Sequence, residues 1–128
     1  MILNLAAHTI TRVAFDYTLT LSTTGPGTTV PSGLVVVEGG FFWSSPSTSE
    51  QWVSAREELH QLAVELVGLH NGSITSASVD DGGELVITFD AGRAIRVPNE
   101  GPYECWDVHQ PGSPTRVNGA PGGVFTWK

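Results

Sequence analysis

Several short stretches of this chain alternate apolar and polar side chains with a period of two, and turn residues separate them. In the stretch VAFDYTLTL, one predicted buried face carries the side chains of Val13, Phe15, Tyr17, Leu19 and Leu21. This period is typical of half-buried β-strands, and short glycine-bearing turns favour antiparallel hairpins. The pattern continues in LVVVEGGFFW and in three later stretches: ITSASV, ELVITF and RAIRVP.

One segment, residues 45–68, changes to helical spacing. Ser47 and Glu50 fit a capping box after Pro46, and Gly68 is placed to end the helix. Residues 56–58 and Gln61 supply the polar face. The spacing predicts one amphipathic helix whose apolar stripe comprises Trp52, Ala55, Leu59, Leu62, Ala63 and Leu66.

The halves of the chain on either side of this segment resemble each other weakly. ITRVAFD matches ITSASVD, and each half ends in a glycine-bearing aromatic segment, EGGFFW or EGPYECW. These features predict a single domain over residues 1–128 of the α+β class. We expect a mainly antiparallel sheet made of two related β-meanders, with one central helix packed on it.

The charge of the chain limits its partners. Six Lys and Arg against thirteen Asp and Glu give a net charge of −7, which would repel the phosphate backbone of a nucleic acid. The chain shows no secretion signal and no apolar run of about 20 residues that could span a bilayer. With one cysteine and therefore no internal disulfide, we expect a cytoplasmic protein without a membrane segment.

The only cysteine, Cys105, lies in GPYECWDVHQPG beside acidic residues and His109. A catalytic thiolate needs a base within hydrogen-bonding reach. On an extended strand, however, Cys105 and His109 would be about 13 Å apart. We expect Cys105 to be a small buried residue of a strand.

The sequence contains no recognisable motif for binding a metal or a phosphate-containing cofactor. The four histidines lack the close spacing of metal-ligand motifs, and the acidic stretch DDGGE reads as a turn. The glycine-rich loop at residues 25–27 does not lie between a strand and a helix, as a phosphate-binding loop would. We therefore predict neither a cofactor nor a metal.

The segment LVITFDAGRAIRVPNEGPYECWDV resembles an uncharacterised family of small bacterial domains. In that family an acidic-glycine hairpin leads into a strand, a proline and a Tyr-Glu-x-Trp motif, here Tyr103, Glu104 and Trp106. VAFDYTLTL, VVVEGGF and GGVFTW extend the resemblance over most of the chain. It implies a stand-alone domain similar to toxin-immunity proteins and phage accessory proteins, with a small side chain at position 105 and no known activity.

Acidity, the lack of catalytic spacing and this resemblance favour a protein-binding module. We expect it to inhibit or modulate another protein, which its charge predicts to be basic, as an immunity-like or phage-encoded protein would. Exposed aromatic side chains are common anchors of protein interfaces. The candidate interaction residues are Phe41, Phe42, Trp43, Glu104, Asp107 and Trp127.

Two other classes of function remain open. The fold could bring Glu104, Asp107 and His109 together in a cleft as an acid and histidine active site, which a raised acid pKa would favour. Alternatively, an exposed strand edge could pair with its twin and form a homodimer.

Overall fold

The computed structural model describes residues 1–54 and 58–128, and this part of the chain is built almost entirely of antiparallel strands. A 3-10 turn (Leu59–Leu62) leads into the short helix α1 (Ala63–Val67), and a second 3-10 turn covers Asp90–Gly92. The strands are β1 (Thr9–Phe15), β2 (Leu19–Thr24), β3 (Pro31–Val37), β4 (Phe41–Ser45), β5 (Thr48–Val53), β6 (Ile74–Val79), β7 (Leu85–Phe89), β8 (Ala94–Val97), β9 (Trp106–His109), β10 (Arg116–Ala120) and β11 (Gly123–Trp127).

These strands form two sheets. The six-stranded sheet has the order β1-β2-β3-β9-β10-β11, and the five-stranded sheet has the order β5-β4-β8-β7-β6. Every pair of neighbours is antiparallel. The predicted mainly antiparallel architecture is therefore confirmed, but the strands divide between two sheets and the helical part is short.

The chain follows the same route twice to build these sheets. The meander β1-β2-β3 is followed by β4, which crosses to the other sheet and pairs with β8. The meander β6-β7-β8 is followed by β9, which crosses back and pairs with β3. The similar stretches ITRVAFD and ITSASVD cover β1 and β6, the first strands of the two meanders. A duplicated unit that exchanges its crossing strands would give this topology.

The N-terminal segment joins the two sheets at one side. Isolated bridges connect Ile2 with Ser78 and Thr9 with Ser73, so the segment runs along β6 before it enters β1. The outermost strands on the opposite side are β5 and β11. In the described part of the chain, neither of these two strands has a second strand neighbour.

Both sheets direct one face into a common hydrophobic core. The buried positions follow the period of two, for example Leu19 and Leu21 in β2 and Leu85 and Ile87 in β7. At the centre, the indole of Trp106 packs directly on Gly119 of the neighbouring strand, where a Cβ atom would overlap the ring. The alternation in the sequence therefore predicted the buried face of these strands correctly.

The long amphipathic helix is the part of the prediction that is wrong. Residues 48–53 form β5, which pairs with β4, and the Glu50 carboxylate accepts a 2.7 Å hydrogen bond from Arg96 instead of capping a helix. Trp52 is half exposed on this strand and packs edge-to-face on Phe42. Strand pairing thus overrides the helical spacing in this segment.

The C-terminal part of the predicted stripe is confirmed. Leu59, Leu62 and Leu66 are buried in the core, within the helical segment that begins at Leu59. The predicted positions Ala55, Arg56 and Glu57 lie outside the described residues. Within residues 1–54 and 58–128, no helix has the length and apolar character required to cross a membrane.

Candidate functional site

The candidate aromatic anchors in β4 are not surface groups. Phe41 and Trp43 are 0% and 1% exposed, so these two interaction residues are corrected to core residues. Their side chains point inward because the period of the strand places alternate residues on the buried face. Phe42, between them, faces outward and lies against Arg96, whose guanidinium carbon is 4.1 Å from the ring centroid.

Trp127 and Asp107 belong instead to the outer face of the six-stranded sheet, which we define as the face turned away from the core. The strand register aligns His109, Arg116 and Trp127 across β9, β10 and β11. The Arg116 guanidinium lies over the Trp127 ring at 4.6 Å and donates a 2.9 Å hydrogen bond to Asp107. Asp107 also lies 3.4 Å from Nε2 of His109.

Glu104 lies next to this cluster in a surface groove of about 720 Å³. We call it the acidic groove because three of its lining side chains are carboxylic acids. Two further members are tyrosines, Tyr17 and Tyr103, which are 68% and 79% exposed. The lining residues are Tyr17, Thr18, Glu38, Gly39, Glu100, Pro102, Tyr103, Glu104 and Cys105.

Three connections between strands build the acidic groove. Tyr17 lies in the β1-β2 turn, Glu38 in the crossing from β3 to β4, and residues 98–105 in the crossing from β8 to β9. The two crossings are held together because the backbone N–H groups of Glu38 and Gly39 donate to the carbonyl oxygen of Cys105, at 3.0 and 3.3 Å. The groove is thus formed where the two halves of the chain exchange strands.

The carboxyl groups of the groove influence one another. Partial removal from water raises the pKa of Glu38 above its ordinary value, and the neighbouring carboxylates of Glu104 and Asp107 raise this pKa further. Arg116 acts in the opposite direction, but its Nε already donates to Asp107. Glu38 therefore holds its proton more readily than a solvated glutamate.

Cys105 is buried in one wall of the groove, as the sequence predicted, but it lies just before β9 and not within a strand. Its Sγ donates to the backbone carbonyl oxygens of Glu100 and Tyr103, at 3.0 and 3.6 Å. Neither acceptor is a base that could carry away the thiol proton in catalysis. The contacts of Cys105 are therefore those of a structural residue.

The three residues of the hypothetical acid and histidine site are divided between two places. Asp107 and His109 contact each other on the outer face, whereas Glu104 lies in the acidic groove within hydrogen-bonding reach of Glu38. In residues 1–54 and 58–128, no three His, Cys, Asp or Glu side chains are grouped so that they could hold a metal ion.

Sequence reasoning missed four residues of the acidic groove: Tyr17, Glu38, Glu100 and Tyr103. Two signals were present, since EGG and NEGPYE both place an acid next to a glycine immediately before a crossing strand. The period of two had assigned Tyr17 to the buried face of a strand. The chain turns after Phe15, however, and this places Tyr17 in an exposed turn.

Fold and site together define a small two-sheet β protein with an acidic groove flanked by tyrosines. The chain belongs to the DUF6188 family, a family of unknown function whose model matches residues 1–128. The sequence-based assignment to an uncharacterised family is confirmed to this extent. Comparisons with curated proteins and with solved structures gave no match.

Proposed function

We propose that this protein is a binding module that takes a lysine or arginine side chain of a partner protein into the acidic groove. The observation that carries this proposal is the crowding of carboxyl groups in a groove that two exposed tyrosines also line. Crowding of this kind is costly until a cation neutralises it, so a bound ammonium or guanidinium group would relieve the repulsion.

The side chains around the groove suit a cation in two ways. Glu38, Glu100 and Glu104 offer charge-assisted hydrogen bonds to an N–H donor. Tyr17 and Tyr103 offer aromatic faces, which attract cations by their negative π clouds. A volume of about 720 Å³ also has room for the aliphatic stem of a long basic side chain.

The charge of the whole chain supports the same class of partner. A net charge of −7 would attract a basic protein over a distance of roughly 10 Å at about 0.1 M salt and would accelerate its association. An immunity-like or phage-encoded inhibitor that neutralises a basic protein in the cytoplasm fits this chemistry. Capture from lysate of the native host, followed by mass spectrometry, would identify such a partner.

The direct test is an NMR titration with trilysine amide, using trialanine amide to measure binding without the basic side chains. We expect chemical-shift changes in the backbone amides of residues 38–39 and 100–105. The affinity for trilysine amide should fall as the salt concentration rises. Glu104→Gln and Tyr103→Ala should each weaken binding about tenfold. Glu65→Gln removes the same charge from exposed α1 outside the groove and should leave binding unchanged.

If Glu65→Gln weakens binding as much as Glu104→Gln, trilysine responds only to net charge, and the groove is not the site. The absence of chemical-shift changes in the groove residues at millimolar trilysine amide would also contradict the proposal.

A second candidate function is acid-base catalysis in the same groove. It is favoured by one observation, the raised pKa of Glu38 beside the carboxyl group of Glu104. A carboxylic acid that keeps its proton near a second, ionised carboxylate can donate that proton to a leaving group. Turnover of a small molecule by the purified protein, lost in Glu38→Gln, would support this function over binding.

A further inference from the structure

The two open edges of the sheets differ in how well they are protected against pairing. The edge strand β5 carries the charged residue Glu50, and its pairing with β4 contains an irregularity between Trp43 and Ser45. Charges and bulges on an edge strand discourage pairing with another strand. This edge therefore has the features by which proteins avoid self-association.

The edge strand β11 has none of these features. Its residues GVFTW contain no charge and no proline, and its register with β10 runs from Gly123 to Trp127 without a bulge. Phe125 and Trp127 are 45% and 46% exposed on the outer face. In the described part of the chain no strand pairs with the other side of β11, so that side presents unpaired N–H and C=O groups.

We propose that β11 pairs antiparallel with β11 of a second copy of the chain, giving a two-fold symmetric dimer in which the two six-stranded sheets become continuous. This inference concerns a different surface from the acidic groove and does not depend on the function proposed for it. A two-fold axis requires each surface to be complementary to itself.

The side chains of β11 meet that requirement. When the axis passes beside Phe125, the two phenyl rings become cross-strand neighbours, and Trp127 of each copy lies opposite Gly123 of the other. Aromatic pairs stabilise antiparallel strands, and an aromatic ring placed over a glycine covers backbone that would otherwise be exposed. Val124 and Thr126, which are both β-branched, face each other in this register.

Charge also disfavours a basic partner at this edge. Residues 110–128 contain Arg116 and Lys128 and no Asp or Glu, so the acidic groups that repel other copies lie elsewhere in the chain. A basic protein would be repelled here and drawn to the acidic groove. Because the overall charge of −7 still opposes association, we expect the dimer to strengthen as salt rises, whereas groove binding should weaken.

Sedimentation equilibrium of the full chain from about 1 µM to 1 mM tests the proposal, because a short edge pair should give a weak dimer. We expect the mass to rise toward twice 13.6 kDa, and more readily at high salt. Phe125→Lys places two ammonium groups together at the axis and should raise the dissociation constant at least tenfold. Val67→Lys, an equivalent change on exposed α1, should not alter it.

Hydrogen exchange provides a second readout on the wild-type chain, which removes any dependence on the folding of a variant. The β11 amides that point away from β10 should exchange more slowly at high protein concentration, while those of β5 should not change. A monomer at about 1 mM, equal dimerisation by folded Phe125→Lys, equal weakening by Val67→Lys, or protection elsewhere than β11 would each overturn the proposal.

Discussion

Glu38 and Glu104 come from the two crossings between the sheets, and their carboxyl groups lie within hydrogen-bonding reach of each other. Glu38 follows β3 and Glu104 precedes β9, so residues far apart in the sequence meet where the two halves exchange strands. Like charges held this close favour a proton on one of them. The acidic groove is therefore sensitive to pH in a predictable direction.

The first prediction concerns that pH dependence. The folded state raises the pKa of Glu38 above 4.5, so it favours the protonated acid, and stability falls as pH rises through the folded pKa. Glu38→Gln keeps a neutral side chain at every pH and should lose less stability than wild type between about pH 4 and pH 7. Urea denaturation at several pH values measures this difference.

Glu65→Gln is the matched control, because Glu65 is exposed on α1 away from the groove. Identical pH profiles for wild type and Glu38→Gln would show that the crowding of Glu38 and Glu104 has no energetic consequence. Because Glu38 is solvent-exposed, we expect the effect to be small and best resolved at low salt.

The second prediction compares two glycines that each lie under a tryptophan. Gly119→Ala should destabilise the protein by about 1–3 kcal/mol, because Trp106 is fully buried and cannot move without losing its 3.0 Å hydrogen bond to the Gly83 carbonyl oxygen. Gly40→Ala should cost less, since the Trp52 ring above it is half exposed and can swing into solvent.

Neither glycine has a positive φ, so backbone strain does not enter the comparison. Thermal and urea denaturation of the two variants would measure the difference. Equal costs at both positions would contradict the argument that the freedom of the tryptophan decides the outcome.

The third prediction tests the short helix. Leu66→Ala should cost about 2–5 kcal/mol, because Leu66 is completely buried in the common core. Val64→Ala, two residues earlier and 85% exposed, should change stability by less than about 0.5 kcal/mol. Urea denaturation of both variants measures the two changes in the free energy of unfolding. Similar small effects would mean that α1 does not pack on the sheets.

The fourth prediction concerns Cys105. Cys105→Ala removes only a weak hydrogen bond from a small buried side chain, so we expect a loss of about 1 kcal/mol and unchanged trilysine binding. Denaturation and the NMR titration measure the two quantities. A loss of binding or of catalytic turnover with unchanged stability would assign Cys105 a functional role instead.

Sequence periodicity predicted the buried faces of several strands correctly. The stretches at β2, β7 and β8 carry alternating apolar residues, and their buried faces were predicted because side chains of a strand point to opposite sides in turn. The prediction for residues 48–53 was wrong because these residues pair with β4, the preceding strand of the same hairpin, and this pairing outweighs their helical spacing. The prediction that Phe41 and Trp43 are interaction residues was also wrong, because β4 directs both side chains into the core.

The sequence by itself determined the mainly antiparallel β architecture, the buried stripe from Leu59 to Leu66, the buried cysteine and membership of an uncharacterised family. The first three depend on the period and chemistry of neighbouring residues, whereas the family membership depends on the resemblance of the sequence motifs. Only the tertiary structure decided that the halves exchange strands and that Tyr17, Glu38 and Glu104 meet in one groove. These contacts join residues from distant parts of the chain, and their free energy arises from strand pairing and core burial, which local spacing does not encode.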